Sequence, residues 1–128
     1  MSLIDPYNEE VRARFAKLVH AGDLDSGYPV VIVGAAGAPA TGASVKIAAG
    51  IEDEMVRTMR FRAWGCPHFV SAADLACSLG EGGKVTGLAD ITASRLIEWL
   101  DVPRTKAGRI FLIEDALRSI VKQFEDNR

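Results

Sequence analysis

Only two cysteines, Cys66 and Cys77, occur in the 128-residue chain. That is too few for a disulfide framework, and one falls in a loop while the other falls on a helical stripe. No run of 18 apolar residues is present, so no membrane span is expected. Charge of neither sign is in excess. Fifteen Lys and Arg against 17 Asp and Glu leave a formal charge of -2, which provides no basic footprint for nucleic acid. The first ten residues lack the basic and apolar regions of a secretory signal, and a cytoplasmic, reduced protein is expected. Catalytic signatures are missing as well. The small-residue stretch 34–42 does not end in Gly-Lys-Ser/Thr and does not fit GxGxxG. No Ser-His-Asp set, zincin helix or EF-hand loop occurs, and no enzyme is expected. Repeats, low-complexity tracts and linkers are also absent, so residues 1–128 read as one domain of ordinary globular composition.

What is present is a clear order of elements. Asp5-Pro6 suits a helix start, and Val11, Phe15, Leu18 and Val19 recur on one helical face before Gly22. His20 stands beside that helix's end, where imidazoles contact terminal carbonyls. Three strands follow, over 28–36, 44–50 and from Glu54 or Met55 to Trp64. The first is too apolar to alternate, whereas the third alternates Arg57, Arg60 and Arg62 with apolar neighbours. Short links make them an antiparallel meander. After Pro67 the chain is helical. Helices are expected over 67–79, from Thr92 or Ser94 to about Val102 with Leu96, Trp99 and Leu100 apolar, and over about 105–124. The last carries the longest stripe, Ile110, Ile113, Leu117, Ile120, Val121 and Phe124. Carboxylate pairs such as Glu114-Asp115 read as solvated faces. The fold class is α+β, a three-stranded antiparallel sheet with helices packed on one face.

The chemistry concentrates in Phe61-Arg-Ala-Trp-Gly-Cys66 and the helix after Pro67. A thiol at a strand-to-helix junction, near free helix amides, suits a reactive or metal-binding role. It also suits a small residue filling a turn. Cys66-Pro67-His68 spaces a soft and a borderline ligand two residues apart. Two chains meeting there would supply two Cys and two His, enough for zinc or a Rieske-like cluster, while His68 as an ordinary helix-start residue remains the alternative. Cys77 shares a stripe with Phe69 and Ala73 and reads as core. Trp64 reads as an anchor beside the site or as a sheet-edge aromatic.

These residues together resemble the U-type iron–sulfur cluster scaffold family, the NifU N-terminal domain and IscU. Tyr7 with Val11 and Phe15 resembles the family's opening helix. Gly37-Ala-Pro-Ala-Thr-Gly42 stands where the family has Gly-Ala-Pro-Ala-Cys-Gly-Asp. Phe61-Arg-Ala-Trp-Gly-Cys66 is similar to its Phe-x-x-Phe-Gly-Cys strand end, and Ile91-Thr92 and Glu114-Asp115-Ala116 fall in step with its last two helices. The likeness spans Tyr7 to about Phe124. It implies iron–sulfur cluster assembly, a cysteine desulfurase as partner, and an iron–sulfur cluster or zinc as cargo.

The family's ligand set is largely replaced. Thr41 occupies the first cysteine position and Ala43 the aspartate position, while Gly108 and Arg109 occupy the His-Cys pair. Only Cys66 survives, and one thiolate cannot hold a [2Fe–2S] cluster that wants four protein ligands. The family's Leu-Pro-Pro-Val-Lys reads Val102-Pro-Arg-Thr-Lys106 here. The resemblance implies that Lys106, Arg109 and helix amides face the Cys66 loop, where a thiol is expected to be nucleophilic and to meet anions. Two expectations follow. Either a cluster or metal is completed by ligands from a second chain or a partner, or the chain is a cluster-free persulfide acceptor or regulatory partner of the desulfurase.

Overall fold

The computed structural model describes residues 8–127. The Asp5-Pro6 helix start and Tyr7 lie outside them. Helix α1 (Glu9–Ala16) is capped by Asn8, whose side-chain oxygen accepts from the Val11 amide at 2.8 Å. The helix stops earlier than its pattern suggested. Leu18 and Val19 follow its end, Phe15 and Val19 are 46% and 60% exposed, and Val11 alone is buried. The cause is tertiary: past Lys17 the backbone pairs with the third strand, Phe61 N donating to His20 O and Gly22 N to Phe61 O, both at 2.9 Å. Those bonds take the place of further helical turns.

Strands β1 (Val30–Ala38), β2 (Ala43–Glu52) and β3 (Met55–Trp64) form an antiparallel sheet in that order. A 3-10 turn at Pro39–Thr41 joins the first two. Asp53 and Glu54, at φ 54° and 64°, join the second and third in a two-residue turn whose handedness matches the strand twist. Beyond the sheet come α2 (Pro67–Gly80), a 3-10 turn at Val85–Asp90, α3 (Ala93–Leu100) and α4 (Arg104–Asp126). The α+β class and the three-stranded meander are as expected.

The helices cover one face only, and this decides which side chains are buried. Ile32 on β1, Val45, Ile47 and Ala49 on β2 and Met59 and Phe61 on β3 point into the core with Phe69, Leu96, Ile110, Ile113, Leu117 and Ile120. Each large apolar side chain so buried contributes roughly 1.5–3 kcal/mol. β1 therefore alternates despite its uniform composition, with Val31 and Val33 exposed beside buried Ile32 and Gly34. Trp99 falls off the Leu96–Leu100 stripe and is exposed. Gly34 lets α4 approach, because a Cβ there would collide with the Ala116 carbonyl. Glu114 is not solvated. It is buried and accepts from the Ala93 amide at 2.9 Å, tying α4 to the start of α3.

One polar network joins the remaining pieces. Asp74 of α2 is buried and accepts from the His20 amide and Arg14 Nη1, each at 2.9 Å, with His20 Nδ1 at 3.3 Å. His20 Nε2 lies 2.9 Å from Glu81, which also accepts from the Met59 amide at 2.8 Å. His20 thus bridges two carboxylates and does not cap a helix end.

Two substitutions test this account. Gly34→Ala should lower stability by about 3 kcal/mol through overpacking against α4. Asp74→Ala should cost about 3 kcal/mol by stranding the His20 amide and taking the buried carboxylate from Arg14, which keeps Glu10 and Ser78. Urea midpoints at constant slope would measure both.

Candidate functional site

Register brings three segments to one end of the sheet. Ser44 of β2 is paired with Gly37 of β1 and with Trp64 of β3. The 39–42 hairpin tip and the Gly65-Cys66 loop therefore leave the same end, and α4 brings its second turn to the hairpin. Arg109 Nη2 lies 3.7 Å from where a Cβ on Gly42 would stand, and Gly42 itself is left-handed at φ +91°.

Cys66 is the residue before α2, with Pro67 opening the helix. Its thiol is a free, half-buried group that makes no capping hydrogen bond. Cys77 is also free but fully enclosed. Burial pushes the Cys77 thiol far above the ordinary thiol range, and the Asp74 and Glu81 carboxylates push it further against the opposing Arg60. The core role expected for Cys77 agrees with this.

The replaced positions are committed elsewhere or chemically mute. Thr41 Oγ1 donates to Ala38 O at 2.7 Å, Ala43 is buried, and Gly108 is exposed. Lys106 is half-buried, and Arg109 is exposed with no ion-pair partner among the described residues. His68 is completely buried. One residue of helix rotates about 100°, which carries the imidazole from the loop toward the core, so His68 is not presented to a second chain. No group of three or more His, Cys, Asp or Glu able to hold a metal occurs among the described residues. Among the described residues the end of the sheet thus offers the Cys66 thiol and the Arg109 guanidinium without an ion pair.

The sequence matches the family model for the NifU-like N-terminal domain over residues 6–128. The chain belongs to that family. It is 26% identical over 124 residues to iron sulfur cluster assembly protein 1, mitochondrial, of Kluyveromyces lactis, covering 95% of this chain and 69% of that protein. It is 25% identical over 123 residues to the iron-sulfur cluster assembly scaffold protein IscU of Escherichia coli, covering 95% and 96%. The fold is that of a NifU-like N-terminal protein from Brucella abortus, with TM-score 0.70 at 14% identity over 94% of this chain and 95% of that one. A putative scaffold protein of the SUF system from Fervidobacterium islandicum superposes with TM-score 0.58 at 14% identity, covering 93% and 88%. Among the described residues no helix is long and apolar enough to cross a membrane.

Sequence reasoning placed Trp64 beside this site and Arg62 on an alternating strand, but missed Asp23. Arg62 forms a two-bond pair with Asp23 at 2.8 Å, and Trp64 is 63% exposed. The alternation of Arg60 and Arg62 marked their shared face, but no local signal announces Asp23, 39 residues away.

The two thiols should differ sharply in solution. Iodoacetamide on the native protein should label Cys66 and spare Cys77, and Cys66→Ser should remain unlabelled until denatured. Peptide mass mapping reads the outcome.

Proposed function

We propose that this NifU-like N-terminal domain serves iron–sulfur cluster assembly by accepting sulfur at Cys66 from a cysteine desulfurase, without building a cluster within one chain. The observation that carries this reading is Arg109, a guanidinium with no ion-pair partner among the described residues, set against Gly42 at the end of the sheet where the family pattern has a thiolate. A cation repels a dication and attracts an anion. Lys106 adds a second positive charge one turn earlier.

The transfer needs no external oxidant or reductant. The Cys66 thiolate attacks the outer sulfur of the donor's cysteine persulfide. A new S–S bond forms on Cys66, the donor's S–S bond breaks, and the donor cysteine leaves as a thiolate. Cys66 ends as a persulfide anion, for which Arg109 and Lys106 are suitable counter-charges. The chain is then a carrier and not an enzyme. Free thiols suit a reducing compartment such as the cytoplasm.

Mass spectrometry after incubation with a cysteine desulfurase and cysteine should show one added sulfur atom on Cys66 and none on Cys77. Arg109→Ala should slow the uptake about fivefold, the rate equivalent of about 1 kcal/mol. Absence of added sulfur would end this reading. Iron and sulfide content with a visible spectrum, compared with Cys66→Ala after anaerobic reconstitution, identifies the other outcome. A stoichiometric chromophore dependent on Cys66 would mean that a second chain or partner supplies the missing ligands.

A further inference from the structure

The uncovered face of the sheet has a composition that the helices do not explain. Its outward-pointing residues from Ser44 to Gly50 and from Thr58 to Trp64 include Lys46, Arg60, Arg62 and Trp64 and no carboxylate. Carboxylates reach this face from other segments. Glu81 takes Arg60 at 3.2 Å, and Asp23 from the segment before β1 takes Arg62 through both oxygens at 2.8 Å. Lys46 has no ion pair among the described residues, and its charge together with Arg62 holds the Asp23 carboxyl below its ordinary range, Arg62 acting most strongly.

Shape accompanies the charge. The register sets Ala35, Lys46 and Arg62 in one cross-strand row and Gly37, Ser44 and Trp64 in the next. Small side chains on β1 and β2 leave a floor, while Lys46, Arg62 and Trp64 stand around a depression of about 380 Å3. Trp64 is two residues from Cys66, so the depression adjoins the sulfur site.

We infer that this depression is a docking surface for an acidic segment of a partner protein, with an apolar side chain of that segment packing on Trp64 and its carboxylates meeting Lys46 and Arg62. Tryptophan and arginine are enriched among the side chains that carry most of the energy at protein interfaces. Asp23 then acts as an internal competitor that holds Arg62 until a partner carboxylate displaces it. Both members of that pair are exposed, so the exchange needs no unfolding. The inference stands independently of sulfur transfer to Cys66.

The test is fluorescence anisotropy of a labelled synthetic peptide of Asp and Glu interrupted by Phe. Saturable, salt-sensitive binding is expected. Lys46→Ala with Arg62→Ala should weaken it about tenfold or more, and Trp64→Ala should weaken it as well. Asp23→Ala should tighten it severalfold, which a merely structural salt bridge would not do. These side chains are exposed, and unchanged urea midpoints would confirm that the variants fold. Absence of saturable binding would overturn the inference, as would indifference to the Lys46/Arg62 change or no gain in Asp23→Ala. Tighter capture of phosphatidylserine vesicles, of a single-stranded DNA oligonucleotide or of a second copy through the same residues would overturn it too.

Discussion

A carboxylate almost wholly removed from water must be answered by donors, and around Asp74 those donors come from parts of the chain far apart in sequence. Arg14 belongs to α1, the His20 amide and ring belong to the segment after it, and Asp74 itself sits in the middle of α2. An unanswered charge in that position costs several kcal/mol, so the network allows one arrangement of α1 against α2 and excludes neighbouring ones. Glu81 extends the same logic to β3 through the Met59 amide and Arg60. The N-terminal part of the domain is therefore positioned chiefly by charge satisfaction, whereas α3 and α4 rest chiefly on apolar burial, with Glu114 tying one to the other.

That division sets the shape of the sheet's two faces. Once His20 is held, the segment behind it runs along the free edge of β3 and pairs with Phe61. It then turns over the uncovered face, where Asp23 meets Arg62 and the Tyr28 ring lies against Gly50, its hydroxyl bonded to Thr58. An edge strand left open invites pairing with another chain. Here β3 is closed by the protein's own backbone. The other edge, β1, is approached by α4, with Gln123 donating to the Val33 carbonyl at 2.8 Å.

Local physics made much of this legible from residues alone. Period-two alternation in 55–64 and the long stripe of α4 report burial directly, and Gly65-Cys66-Pro67 has the punctuation of a strand-to-helix turn. The failures share one cause. Helix α1 loses Leu18 and Val19 because backbone pairing with Phe61 outweighs amphipathic pattern, and Glu114 is buried because α3 needs an acceptor at its start. Each outcome depends on a partner distant in sequence. The candidate site divides the same way: Cys66 was visible in its motif, while the meeting of Arg109 with the hairpin tip required the fold.

The start of α4 carries the chemistry furthest. Its first turn has no acidic residue, and Arg104, Lys106 and Arg109 fall within its first two turns. Cations at a helix N-terminus oppose the macrodipole by about 0.3–1 kcal/mol each, so this arrangement reduces the stability of the helix. The compensation is positive charge where α4 meets the hairpin, with the Arg109 guanidinium set against Gly42. Such a charge disfavours a metal dication and favours a sulfur anion. On the adjoining face Lys46 has no ion pair among the described residues, while Arg62 is held by Asp23. Under the proposed function, Gly108 and Arg109 in place of the family's His-Cys pair suit this end of the sheet to receiving sulfur at Cys66.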